Sequence, residues 1–368
     1  MSRRILVVRR DNIGDLVLTT PLFAALRAKM PDATIDVLTN SYAAPVLAGN
    51  PHLNALYVYT KAHHRDAGES WLGVYLRRVR AVLELRRRRY DTILLAKVPA
   101  ERRPLQFARM IGAKEIVGLV KPGDAPPPGI THFYEWDPVR NAHTVQALMQ
   151  LGSHFGITER GGPTLVRPEP LAQRKARALL APVVARGVPV VVLNLSARKV
   201  KQHWPVARFV ALARALHERE DASFMLVWSP GAPDNPRHPG DDDKAEEAMR
   251  GLAGLPCVAM RTEALPELIA ALSLADAMVT ADGGAMHLGA ACGLPVVALF
   301  GNSDPAMWHP WDVPHEVLQH RGRDVNLIEV DEVLGAWDRL RLQGGVWPGR
   351  AWRRDRDDAA APPDVVSR

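Results

Sequence analysis

Only two cysteines, Cys257 and Cys292, occur in 368 residues. They are too few for a disulfide framework and lack metal-ligand spacing, so both are expected as small core residues. Aromatic residues are sparse at 6%, and no aromatic platform interleaves with the basic residues. With no reader motif either, a nucleic-acid partner is not expected. No apolar run approaches the roughly 20 residues needed to span a bilayer. Met1-Ser2-Arg3-Arg4 passes directly into an apolar strand without the core of a signal peptide, so the reading is a soluble cytoplasmic protein. No tandem repeat is present.

What the chain does have is length, apolar residues and positive charge. At 368 residues it exceeds a comfortable single core, which makes two domains the expectation. The net charge of +7 suits an anionic partner, whether a phosphorylated substrate or an anionic membrane face.

Strand-like runs alternate with helical segments in both halves, the pattern of a parallel sheet covered on both faces. In the first half, strands are expected at Ile5–Val8, Ala33–Thr39, Asn54–Tyr59 and Thr92–Ala96. Helices are expected at about Leu16–Met30, Ala43–Leu47, Trp71–Arg89 and Asn141–Phe155. The proline- and glycine-rich stretch Val120–Pro138 reads as irregular loop. Pro163, Pro168 and Pro170 punctuate an interdomain linker. The second half gives strands at Val190–Asn194, Ser223–Trp228, Ala277–Thr280 and Pro295–Phe300. Its helices fall at Val206–His217, Lys244–Leu252, Leu265–Leu274 and Val330–Leu342. The expected domains are 1–160 and 171–345, and 346–368 reads as a disordered tail.

Two loops carry carboxylates at places where open α/β sheets hold ligands, beyond the carboxyl ends of strands. The first is Arg9-Arg10-Asp11-Asn12-Ile13-Gly14-Asp15. The second is Asp282-Gly283-Gly284-Ala285-Met286-His287, where glycines admit a close backbone approach and a helix start offers free N–H groups to an anion. A diphosphate fits it, and so does the plainer reading of Asp282 as a helix N-cap. Leu299-Phe300-Gly301-Asn302-Ser303-Asp304-Pro305 repeats the strand, glycine and helix-start pattern.

Asp282 to Leu288, Gly293-Leu294-Pro295 and Leu299 to Pro305 together resemble the donor-site signature of glycosyltransferase family 9, the ADP-heptose:lipopolysaccharide heptosyltransferases. Ile13-Gly14-Asp15, Leu18-Thr19-Thr20-Pro21-Leu22, Ala24, Leu26 and Pro31 resemble that family's other hallmark. The resemblance implies an α/β protein of GT-B fold, two Rossmann-like domains with parallel sheets facing a central cleft. The first would hold the acceptor and the second the sugar nucleotide, with hinge motion at the linker. It further implies inverting, metal-independent transfer of heptose from ADP-heptose to a lipopolysaccharide core, with no cofactor. Another sugar-nucleotide donor, or binding without turnover, is the alternative.

By the same resemblance Asp15 is the general base, with Asp11 the rival carboxylate and a helix N-cap the bland role. The diphosphate would lie on the amides of Gly283, Gly284, Ala285 and Met286. Asp282, His287, Ser196, Asn302 and Ser303 are further donor-side candidates, and His287 reads equally as a structural histidine. Family members place a lysine two residues before the tryptophan of the loop Ser196–Pro205, where this chain has Gln202. Lys201 is therefore taken as the phosphate cation, with Lys199 next. Glu246 or Glu247 would reach the donor ribose. Acceptor-side candidates are Asp11, Asn12, Gly14, Arg65, Lys97 and Arg102, with Lys61, His63, His64 and Arg103 as basic neighbours. Arg86 to Arg89 complement a helix end and would also suit peripheral contact with an anionic inner membrane face.

Overall fold

The structure is a computed structural model that describes residues 2–59, 71–139, 142–232, 234 and 240–343. It divides into two compact units, the first ending at Leu165 and the second starting at Val166.

The first unit contains β1 (Arg4–Val8), β2 (Thr34–Asn40), β3 (Ala55–Tyr59), β4 (Thr92–Leu95), β5 (Glu115–Val120) and β6 (His132–Glu135). They form one sheet in the order β3-β2-β1-β4-β5-β6, and every pairing is parallel. Helices α1 (Ile13–Val17), α2 (Thr20–Lys29), α3 (Trp71–Arg87), α4 (Arg102–Ile111) and α5 (Thr144–Met149) accompany it. The second unit contains β7 (Val190–Asn194), β8 (Ser223–Trp228), β9 (Cys257–Arg261), β10 (Ala277–Ala281), β11 (Val296–Phe300) and β12 (His315–Gln319). Its order is β12-β11-β10-β7-β8-β9, again all parallel. Counted from each unit's own first strand, both sheets have the doubly wound order 3-2-1-4-5-6.

That topology follows from how the strands read. In β7, β10 and β11 all five residues are buried, as parallel strands covered on both faces must be. Leu193, Leu226, Val279 and Leu299 share one core with Phe209, Leu212 and Trp337. These last three belong to α7 (Val206–Glu220) and α12 (Val330–Leu342). The remaining helices are α6 (Pro170–Val184), α8 (Asp242–Gly251), α9 (Leu265–Leu272), α10 (Gly284–Ala291) and α11 (Pro305–Trp308). Among the described residues no helix is long and apolar enough to cross a membrane.

Several expectations change. The single helix expected over Leu16–Met30 is two, and the first begins at Ile13. Asn12 takes the N-cap place, and the Asp15 carboxylate accepts its N–H at 3.2 Å. This is the return half of a capping box, so Asp15 stands in the first helical turn. The irregular loop expected over Val120–Pro138 contains β6, an edge strand with three of its four residues exposed. The helix expected over Asn141–Phe155 is α helical only to Met149 and continues as a 3₁₀ turn. The tail from 346 lies outside the described residues.

Candidate functional site

In the 3-2-1-4-5-6 order the strand direction of growth reverses between the first and fourth strands, and ligands collect beyond that point. In the first unit this places the loops after β1 and β4 side by side. In the second it joins the loops after β7 and β10.

Arg9 organises the first loop. Its side chain is 3% exposed, and it donates through Nη2 to Asp15 Oδ1 at 2.6 Å and through Nη1 to the Ala96 carbonyl. Its Nε lies 3.4 Å from Asp11 Oδ2, an ion pair without hydrogen-bond geometry. A buried guanidinium must be paired, because an isolated charge is costly away from water. Asp11 also accepts from Lys97 Nζ at 2.8 Å, and Lys97 reaches Glu101 at the same distance. Burial pulls the Lys97 ammonium down, but Asp11 and Glu101 outweigh it and leave its pKa above the usual lysine value. Asp15 keeps partial exposure, and each carboxylate oxygen has a second lone pair beyond the bond already made. Thr19 Oγ1 donates to the Asp15 carbonyl at 2.8 Å and steadies the turn. Asn12 is exposed and Gly14 is buried within α1. Arg102 is exposed as the first residue of α4. Lys61, His63, His64 and Arg65 lie outside the described residues.

The second unit builds its loops around Asp282, which is 9% exposed. Gln202 Nε2 donates to Asp282 Oδ2 at 2.9 Å and to Ser303 Oγ at 3.1 Å, tying three loops together. Burial pushes the Asp282 carboxyl above its usual range, against the opposing pull of Ser303, Lys199 and Gln202. Its bond to Gln202, together with the N-cap position of Gly283, corrects the reading of Asp282 as a simple cap. In α10 the first helical N–H bond is His287 to the Gly283 carbonyl, so the amides of Gly284, Ala285 and Met286 precede it. Nothing stands within 4 Å of the position a Gly283 side chain would take. Free amides, the positive helix end and open space make an anion site.

Met286 offers only its backbone, since its side chain is fully buried against Val296, Ala298 and Phe300. His287 is buried too, with its ring edge-on to Trp308 at 6.3 Å and no hydrogen-bond partner for Nδ1. Burial, aided by His309, lowers its pKa to about 4 and keeps it neutral. Lys199 and Lys201 are both exposed. The charge acting on Asp282 is that of Lys199, whereas Lys201 acts on Asp324. Lys199 is thus the one of the two whose charge bears on the Asp282 carboxyl.

Ser196 turns elsewhere. Its Oγ donates to Asp241 Oδ2 at 2.5 Å and accepts from the Ser229 amide at 2.7 Å. Asp241 also accepts from Lys244 Nζ at 2.5 Å. Glu246 and Glu247 are exposed on α8, and Asn302 is exposed after β11. Sequence reading gave no role to Arg9, Asp241 or Lys244, since the contacts that tie them to the site, Arg9 to the Ala96 carbonyl and Asp241 to Ser196, join distant loops. Among the described residues no three His, Cys, Asp or Glu side chains group as metal ligands would.

Comparisons with known proteins bear on this arrangement. Residues 78–329 match the family model for Glycosyltransferase family 9 (heptosyltransferase). Lipopolysaccharide heptosyltransferase 3 of Escherichia coli strain K12 is 27% identical over 358 residues, covering 89% of this chain and 95% of that protein. Lipopolysaccharide heptosyltransferase 1 of Pseudomonas aeruginosa is 24% identical, covering 82% and 79%. Among solved structures, the family 9 glycosyl transferase of Veillonella parvula aligns with a TM-score of 0.76 at 19% identity, over 94% of this chain and 99% of that one. The E. coli heptosyltransferase WaaC with ADP aligns with a TM-score of 0.72 at 17% identity, over 92% and 99%.

Proposed function

Because the chain belongs to glycosyltransferase family 9, we propose that it transfers heptose from ADP-heptose to a hydroxyl of the lipopolysaccharide core, with inversion and without a metal. Its fold class is GT-B, with two parallel six-stranded sheets. The relatives' names, which specify lipopolysaccharide heptosyl transfer, support the substrate class. The observation that carries the reading is that each sheet sets a carboxylate loop at its own reversal point, Asp15 in one and Asp282 in the other.

In this reaction Asp15 takes the proton of the acceptor hydroxyl as the oxygen attacks the anomeric carbon. The bond from that carbon to the diphosphate oxygen breaks, its electron pair leaves with ADP, and attack from the opposite face inverts the centre. The leaving diphosphate gains charge as it departs. Amides of Gly284, Ala285 and Met286 and the Lys199 ammonium are the groups that stabilise it, without reorganising at the moment of reaction. Arg9 holds the Asp15 carboxylate in one orientation, and Asp282 fixes the second loop through Gln202. Exposed Arg86, Arg87, Arg88 and Arg89 at the end of α3 would hold the enzyme at an anionic leaflet, at about 1 kcal/mol per residue near the surface.

The test is ADP release from ADP-heptose with truncated lipopolysaccharide cores, for the wild type and Asp15→Asn. Acceptor-dependent release should fall by about 10²- to 10⁴-fold in the variant, with donor affinity retained. Binding of a different sugar nucleotide in place of ADP-heptose would overturn the assignment.

A further inference from the structure

Arg9 and Arg10 are neighbours with opposite commitments. Every donor edge of Arg9 is turned inward, to Asp15, Asp11 and the Ala96 carbonyl. Arg10 is half-buried, and its guanidinium packs against two rings, with its carbon 4.5 Å from the centroid of Tyr59 and 4.5 Å from that of Phe107. Its Nε donates to the Tyr59 hydroxyl at 2.7 Å. Among the described residues no hydrogen bond or ion pair uses either of its terminal nitrogens. Those nitrogens are the half of the guanidinium fork that matches two oxygens of a carboxylate or phosphate.

The ground beside it has the same bias. Phe107 belongs to α4, whose first turn carries Arg102 and Arg103, no acidic residue and no side-chain cap. These two cations at the positive end of a helix oppose its dipole, and the carboxylate at that end, N-cap Glu101, is already paired with Lys97. At a rise of about 1.5 Å per residue, Phe107 is only about 7.5 Å along the axis from Arg102. The stacked, preset guanidinium has already lost the rotamer freedom that ligand binding would otherwise remove.

We infer that Arg10 is a specificity-determining residue that reads an oxyanion, carboxylate or phosphate, on the acceptor. This rests on the reading that the first unit takes the acceptor. Packing of Tyr59 against Phe107 does not require the fork, since those rings already approach with centroids 6.0 Å apart.

The experiment compares three core acceptors: one intact, one stripped of phosphate by phosphatase, and one with its sugar carboxylates reduced to alcohols. The ratio of kcat/KM between the intact core and the core lacking the recognised group should collapse by about 10- to 100-fold in Arg10→Gln. Arg10→Lys should recover only part of it, because an ammonium lacks the fork, and Phe107→Leu should lower the same ratio. A ratio that changes for the phosphate pair alone identifies phosphate, and one that changes for the carboxylate pair alone identifies carboxylate. Equal losses on all three acceptors, or none, overturn the inference. A second readout is independent of turnover: ¹⁵N signals of the guanidinium groups, titrated with methyl phosphate and with acetate. The signals absent from Arg10→Gln should move with one of the two, and their failure to move with either overturns the inference. If they move and no core is turned over, the heptosyltransferase reading fails while the oxyanion site stands.

Discussion

Gln202 donates to Asp282 across 2.9 Å, and by doing so joins the loop after β7 to the loop after β10. The same amide reaches Ser303 after β11, so one buried side chain fixes three loops. Gln202→Leu removes the donor and leaves a buried carboxylate under-satisfied, which typically costs about 1–3 kcal/mol. Urea unfolding should show that loss, and the KM for ADP-heptose should rise with it. An unchanged midpoint with an unchanged KM would mean the loops are held by other means.

Alanine substitution should separate Lys199 from Lys201. Lys199 acts on Asp282 and Lys201 on Asp324, so Lys199→Ala should raise the donor KM by about tenfold or more, the worth of a charge-assisted bond. Lys201→Ala should change it by less than about threefold, as a solvated lysine does. Steady-state kinetics at two salt concentrations decides this, and the reverse ranking would reassign the phosphate partner.

Gly301 has no room for a side chain. A Cβ there would stand 2.3 Å from the Lys201 carbonyl oxygen and 3.1 Å from its carbon, and backbone cannot step aside as a flexible side chain can. Gly301→Ala should therefore separate the loops after β7 and β11. Misplacement by about 1 Å can cost about 10²-fold in rate, so kcat/KM should fall strongly while circular dichroism still shows a folded chain. Full activity in this variant would show that the loop spacing does not matter to the donor.

Two carboxylates of the first unit should give stability opposite pH dependences. Burial raises the pKa of Asp36 above 3.8, despite the hydrogen bond it accepts from Tyr90 at 2.6 Å. The folded state then binds more protons than the unfolded one, so stability falls as pH rises from about 3.8 toward the folded value. Asp36→Asn should remove that fall. Burial also opposes ionisation of Glu115, but Thr92, His154 and Arg3 prevail and lower its pKa from 4.5 to about 2. Its contribution is present above 4.5 and disappears as pH drops toward 2, and Glu115→Gln should flatten that acid limb. Urea midpoints between pH 2 and 7 for both variants measure the two slopes, and slopes equal to the wild type would contradict both assignments.

Most inner strands were readable because burial on both faces leaves an unbroken apolar run, as in Val190-Val191-Val192-Leu193, whereas β5, whose run is broken by Gly118, was not. Of the four edge strands only β3 was expected, at Asn54–Tyr59. β6, β9 and β12 are half-exposed or exposed along most of their length, so neither an apolar run nor a clean alternation marks them. The helix start at Ile13 was hidden because Asp15 read as the N-cap of a helix starting at Leu16, and only the return bond to Asp15 shows that Asn12 holds the cap place. In the site, Asp15 and Asp282 stood out as carboxylates in loops after apolar strands. What surrounds them could not be read along the chain. The Arg9 contact with Ala96 spans 87 residues and the Gln202 contact with Asp282 spans 80, distances over which local pattern carries no information. Gln202 looked like a missing lysine, and its geometry makes it the brace of the Asp282 loop.

The repeated strand order has a consequence for biosynthesis. The last strand of the first sheet ends at Glu135, and the first strand of the second begins at Val190. All strand pairs of each sheet fall within its own half of the chain. A ribosome working from the amino end therefore delivers every strand of one sheet before it makes any strand of the other, and domains fold as units during synthesis. Nascent first-sheet strands meet only their own partners, so mispairing between the two similar sheets is suppressed by order of arrival.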